Sequence, residues 1–322
     1  MIIFLDGSVA TNAKSISDDK ILTEFGLKDK SSILNRWDSL STEITFTSSS
    51  SITYRLPVGS MNNSNIDVLI DWGDGSSIEN WNATINQSSS TKEHSYSAGT
   101  YTIKILGDIP MLRTLAFSNA TSMAATTHVV LGDNFTAENA LSYAFRNHTG
   151  LTNFSVKKIN CSRKFTDLKG MFNNVPTLTT ADFTNMDSSN VTSWNGFMMK
   201  CGSVDANIGK LSVVSLNSCS SFMWKTWMTP TNFNECLMEW GELSKRGLIK
   251  NKNKVINLGS GGTSSSKYNG GLDSTGHPGK TTYTASPSVL YGTNQTPQQG
   301  RLWLINSFSP YANWTLRSGG QV

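Results

Sequence analysis

Little of this 322-residue chain is charged. Asp, Glu, Lys and Arg make up 16% of it, with 27 basic residues against 23 acidic ones and a formal net charge of +4. So small an excess gives no strong case for nucleic-acid binding, which needs a concentrated basic face, and no nucleic-acid partner is expected. Cysteine is scarce: Cys161, Cys201, Cys219 and Cys236 are the only four, and none forms a CxxC pair. That spacing argues against structural zinc. The thiols are expected to be buried apolar fillers in a fold that does not depend on disulfides. The four histidines, His94, His128, His148 and His277, have no metal-ligand partner at i+4. No run of 18 apolar residues occurs, so no membrane span is expected. A Gly-x-Ser-x-Gly elbow is missing. The stretch GHPGKTT from Gly276 fails as a phosphate loop, because Ser274 stands where the first glycine is required. These absences point away from catalysis, and the chain is expected not to be an enzyme.

What the chain does have is a repeat about 26 residues long between Leu112 and Met223. One half reads LRTLAF from Leu112, LTNFSV from Leu151, LTTADF from Leu178 and IGKLSV from Ile208. The other half ends in a large apolar residue, at Phe145, Phe172, Met198 and Met223, spaced 27, 26 and 25 residues apart. Such a period is the mark of stacked units that bury their apolar edges against each other. The first half suits a short strand with alternate residues facing inward, and the second suits a closing turn or short helix.

The flanking segments are read in chain order. Residues 1–40 contain two short helical patterns, SDDKILTEFG and SSILNRWDSL, and are expected to be an N-terminal attachment segment. Residues 41–108 alternate apolar and polar residues in TEITFT, SITYRLP and IDVLID, as half-buried strands do. In TPTNFNECLMEWGEL, Thr229 can cap a helix opening with Pro230, with Phe233, Leu237 and Trp240 along one face. Residues 257–296 are rich in Gly, Ser, Thr and Asn and are read as a long loop. Tyr268, His277, Tyr283 and Tyr291 in that loop are candidate ligand contacts.

DWGDGS at 71–76, followed by EHSYSAGTYTIKI at 93–105, resembles the hallmark of PKD-type immunoglobulin-like domains. The resemblance implies a core position for Trp72, a turn position for Asp74, and a hydrogen bond from His94 near it. It also makes Asp71 and Asp74 candidate calcium ligands. Calcium is the one cofactor to weigh, against a hydrogen-bonded structural turn, because it takes six or more oxygens. SSNVTSWNGFM from Ser188 and FTDLKGMF resemble the repeats of BspA-type leucine-rich-repeat surface proteins. GRLWLINSFSPYANWTLRSGGQV is similar to the tail of that family through Arg301, Leu304, Trp314 and Gly319-Gly320. The expected fold class is therefore mainly β with short helices. A PKD-like β-sandwich (41–108) would be followed by a leucine-rich-repeat solenoid (109–228) and a C-terminal cap with a long loop (229–322).

Modules of this kind are displayed outside cells, yet MIIFLDGSVATNAK has neither a basic n-region nor a long apolar segment, and no leader is expected there. The expectation that reconciles the two is a non-enzymatic virion surface protein of a bacteriophage: a capsid decoration protein, a fibre or a tail-associated adhesin. It would be held to other virion proteins through residues 1–40 and carried in many copies or as a homo-oligomer. It would contact host surface glycan or protein with useful avidity. The alternative is a bacterial cell-surface adhesin of the leucine-rich-repeat class.

Overall fold

The computed structural model describes most of residues 40–258, together with 2–3, 9–10, 304, 312 and 314–317. Ile2–Ile3 (β1) and Val9–Ala10 (β2) form a small antiparallel pair. The next strands are β3 (Thr42–Ser48), β4 (Ile52–Arg55), β5 (Val58–Gly59), β6 (Ser64–Asp71), β7 (Glu79–Ile85), β8 (Glu93–Tyr96), β9 (Gly99–Asp108) and β10 (Met111–Leu112). A short helix, α1 (Ala120–Ala125), leads into β11 (Thr126–Leu131), and then come β12 (Asn153–Val156), β13 (Ile159–Asn160), β14 (Thr180–Ala181), β15 (Met186–Asp187), β16 (Gly202–Ala206) and β17 (Thr226–Met228). The 16-residue helix α2 (Pro230–Lys245) and strands β18 (Val255–Asn257) and β19 (Thr315–Arg317) follow.

Among the described residues, nine of these strands lie in one sheet in the order β17-β16-β14-β12-β11-β3-β9-β6-β7. The β7–β6, β6–β9, β9–β3 and β3–β11 pairs are antiparallel. From β11 to β17 every pair is parallel. This topology corrects the expected PKD-like sandwich followed by a leucine-rich-repeat solenoid with its own cap. The mainly-β character holds, but strands from both segments share one mixed sheet, and no separate solenoid is evident among the described residues. The reason lies at β3, where an antiparallel sheet would otherwise leave a row of open backbone N–H and C=O groups. β11 takes that edge through Val129↔Ile44 and Val130↔Glu43, and on its other side starts the parallel ladder through Val129↔Phe154.

Two of the four expected repeat copies supply no strand to this sheet. Leu112 lies in β10, which pairs with β5 instead, and Ile208 opens a 3-10 helix, Ile208–Lys210. TTHVVL of β11 and GSVDA of β16 take those places because their Val129 and Ala206 fall in register with the buried Phe154 and Ala181. The helix α2 starts at Pro230 behind the Thr229 cap, as TPTNFNECLMEWGEL predicts.

The period survives in the hydrogen bonds between stacked turns. Tyr143 N donates to Lys169 O at 2.8 Å, Gly170 N to Asn195 O at 2.8 Å, and Gly196 N to Ser220 O at 2.7 Å. Inside these turns Phe145 stacks on Phe172 with ring centres 5.4 Å apart, Phe172 meets Phe197 at 5.7 Å, and Phe197 stacks on Phe222 at 5.6 Å. The column continues through Trp240 of α2 to Trp314, so the helix closes the end of the core. Offset and edge contacts of this kind add to the burial of each ring. Thr229 caps α2, its hydroxyl accepting from Asn232 N at 3.3 Å, and Trp240 Nε1 donates to Leu211 O at 2.9 Å. Cys201, Cys219 and Cys236 are buried free thiols, while Cys161 lies outside the described residues.

The same core continues through the antiparallel end. Phe46 of β3 stacks on Tyr54 of the β4–β8 pair at 4.5 Å and meets Tyr96 edge-on at 4.8 Å. The Tyr54 hydroxyl, which burial makes a weaker acid than usual, is satisfied by Thr126 at 2.7 Å.

Candidate binding surface

Strand alternation decides which side chains leave the core. Ile103, Ile44, Val129, Phe154, Ala181 and Ala206 are all buried and share one inward row across six strands. One position along each strand, the partners are Thr102, Thr45, His128, Asn153, Thr180 and Asp205, a row on the other face. Lys104, Glu43, Val130 and Ser155 form the next outward row. The solvent face of the sheet is thus polar along the first of these lines and, apart from Val130, along the second.

A groove of about 390 Å³ follows these lines over the parallel strands, lined by His128, Asn153, Ser155, Thr180, Asp182, Asp205, Asn207 and Asn232 among others. Its walls are hydrogen-bonded to each other. Thr180 Oγ1 donates to Asn153 Oδ1 at 2.6 Å, and Asn207 Nδ2 donates to Asp182 Oδ1 at 2.6 Å and to Thr184 Oγ1 at 3.0 Å. Asn232, the first-turn residue of α2, donates Nδ2 to Asp205 Oδ1 and ties the helix to the end of the row. Beside them, Thr152 and Thr179 each donate a hydroxyl to a backbone carbonyl one repeat earlier, Thr127 O and Thr152 O, both at 2.9 Å. Side-chain positions held this way change little when a ligand arrives, which lowers the ordering cost of binding.

Burial works against ionisation of Asp182, but hydrogen bonds from Thr184 and Asn207 outweigh it and hold the carboxyl below its ordinary value. Burial lowers the His128 imidazole despite the nearby Glu43 carboxylate, which favours its protonated form. Glu43 itself is paired with Lys157 Nζ at 2.7 Å. Three strand spacings, roughly 14 Å, separate His128 from Asp205 along the row, too far for one to hydrogen-bond the other.

The calcium candidates lie elsewhere and are engaged in a turn. Asp71 Oδ1 accepts from Gly73 N at 2.9 Å, Asp74 Oδ1 accepts from Ser76 N at 3.0 Å, and Asp74 Oδ2 lies 2.7 Å from His94 Nε2. Hydrogen bonding from Ser76, aided by His94, overcomes partial desolvation and brings the Asp74 carboxyl down to about 2. The His94 ring stacks on the buried Trp72 at 4.7 Å, and Tyr96 Oη donates to Trp72 O at 3.0 Å. Gly73 has φ +74°, and a Cβ there would overlap the Thr102 carbonyl, so the turn requires glycine. Among the described residues no group of three or more His, Cys, Asp or Glu side chains is placed to hold a metal. The other predicted contacts, Tyr268, His277, Tyr283 and Tyr291, lie outside the described residues, as does most of residues 1–40, which were expected to form an attachment segment.

No family model, curated protein or solved structure matches this chain. The groove residues were not singled out from sequence, where His128 drew notice only for lacking a metal partner. A signal for them exists: in the strand half of each repeat, the polar residue beside the inward Val129, Phe154 or Ala181 must face out.

Proposed function

We propose that this is a non-enzymatic binding protein of the bacteriophage virion surface, which meets host glycan or protein through the solvent face of its parallel strands. The observation that carries the proposal is the row His128, Asn153, Thr180 and Asp205, in which each strand adds one polar side chain in register with the next. A row at strand spacing presents hydrogen-bonding groups at regular intervals of about 4.8 Å, which suits an extended or repetitive polar ligand. The carboxylates of the groove accept hydrogen bonds from Asn207, Thr184 and Asn232, which favours a role in holding a polar surface in shape. Placement on a virion adds avidity from many copies, so modest single contacts suffice.

The contact surface is tested with the full-length protein on a glycan array, beside Thr180→Arg and Ser155→Arg. Both substitutions fill the groove from exposed or half-exposed positions. Retention of one glycan class by the native protein, lost in both variants while their melting temperature holds, is expected. Unchanged retention in both would remove the groove from the reading. Mass spectrometry of purified particles tests the placement, with the protein expected among the structural components. Finding it only in the cell envelope fraction would overturn the virion assignment, and depolymerisation of a bound polysaccharide would overturn the non-enzymatic one.

A further inference from the structure

The edge formed by the stacked turns carries a second feature, independent of the sheet face. Arg146 and Lys169 hold their cationic groups 5.3 and 5.6 Å from the centre of the Tyr143 ring. Three turns on from Tyr143, Lys225 and Lys200 lie 4.8 and 5.6 Å from the centre of the Trp224 ring. Arg146, Lys200 and Lys225 are exposed, and both rings are half-buried. Asp167 is the one carboxylate in the described parts of these turns, and its Oδ1 accepts from Lys169 N at 2.7 Å.

Backbone geometry makes the two terminal lysines unusual. Asn147, Asn174, Lys200 and Lys225 occupy equivalent places in successive turns, with φ of 61°, 62°, 62° and 57°. Left-handed backbone favours Asn over other non-glycine residues. The first two positions follow that rule and bond to each other, Asn174 Nδ2 donating to Asn147 Oδ1 at 3.0 Å. The next two carry Lys instead, in adjacent turns, where strain and like-charge repulsion both oppose it. Strain that persists at an exposed position points to function. The ring faces offset part of the repulsion by cation–π attraction, and an anion lying across the turns would offset the rest.

We propose that this edge is a binding site for an anionic polysaccharide, with Arg146, Lys169, Lys200 and Lys225 meeting its acidic groups. The four turns span three spacings, roughly 14 Å, enough for several sugar residues of an extended chain. Nucleic acid is disfavoured because its bases would need open aromatic faces to stack on, and cations already lie over a face of each ring.

Affinity electrophoresis of the full-length protein through gels containing polygalacturonate, neutral dextran or no polymer tests this. Retardation by polygalacturonate alone, abolished by salt well above physiological strength, is expected. The double substitution Lys200→Asn and Lys225→Asn restores the residue type of the two preceding turns and so preserves the fold. It should weaken retardation about tenfold, while the equally discharged Arg246→Gln with Lys252→Gln should not. Equal loss in both double variants, or none in the first, would overturn the assignment. So would tighter binding of an oligothymidylate at the same residues. Thr180→Arg should leave this retardation unchanged, which separates failure of this site from failure of the groove.

Discussion

The ring of Tyr143 lies where a side chain on Gly170 would have to go: a Cβ built there would stand 2.5 Å from Tyr143 Cε1, and Gly170 has φ +59°. The two residues belong to successive turns, Tyr143 N donating to Lys169 O beside that glycine. Gly170→Ala should therefore cost about 1 kcal/mol from backbone conformation, and more from moving the ring. Urea unfolding should show a lower midpoint with an unchanged m-value. Tyr143→Ala in the same background should recover the part due to the ring.

Acid should weaken the fold through His148. The imidazole is buried, its Nδ1 accepting from Leu151 N at 3.2 Å, and burial pushes its pKa from 6.5 down to about 4. Above pH 6.5 the ring is neutral whether the chain is folded or not. Between 6.5 and 4 the unfolded chain binds a proton that the folded chain does not, so stability falls as pH falls through this window, by up to about 3 kcal/mol. Below pH 4 this contribution levels off. His148→Gln should lose about 1–3 kcal/mol at pH 8 and show a flatter dependence between pH 6.5 and 4 in denaturant titrations.

Phe197 touches Phe172, Phe183, Trp194 and Phe222 with ring centres 5.1–5.7 Å away, and it is fully buried. Phe197→Ala should cost about 3–5 kcal/mol in unfolding free energy. Phe197→Leu, which keeps most of the volume, should cost about 1 kcal/mol by the same measurement.

The described thiols should resist alkylation. Burial raises Cys201 to about 12 and Cys219 to about 11, and raises Cys236 well above its ordinary value. In a Cys161→Ser background, native protein at pH 8 should take up iodoacetamide far more slowly than protein in urea, where all three thiols react. Mass spectrometry of the labelled peptides reads the result residue by residue.

Helix α2 was legible from local rules. Thr229 accepts from the open N–H of Asn232, Pro230 needs no donor, and Phe233, Leu237 and Trp240 fall on one face and are buried. The turn at Gly73 and Gly75 was legible from its glycines, while the places of Trp72, Asp74 and His94 were implied only by the resemblance of DWGDGS and EHSYSAGTYTIKI to PKD-type domains. The solenoid was misread because a period says which residues are equivalent and leaves open what their strands pair with. The phase of the copies at Leu112 and Ile208 slipped for a related reason. Apolar residues alone do not separate a strand of the sheet from β10 or from a 3-10 turn, since all three bury them.

The order of residues along the chain was enough to set the spacing of the turns, the alternation that buries Val129, Phe154 and Ala181, and the cap of α2, because each depends on neighbours a few residues away or on a regular interval. Folding in three dimensions decided that β11 closes the edge of β3, and so brought His128, Asn153, Thr180 and Asp205 into one line. It also brought Lys200 over the Trp224 ring of the next turn. Such contacts join residues far apart in the chain, and they form only when open backbone hydrogen bonds and exposed apolar faces find partners across the whole molecule.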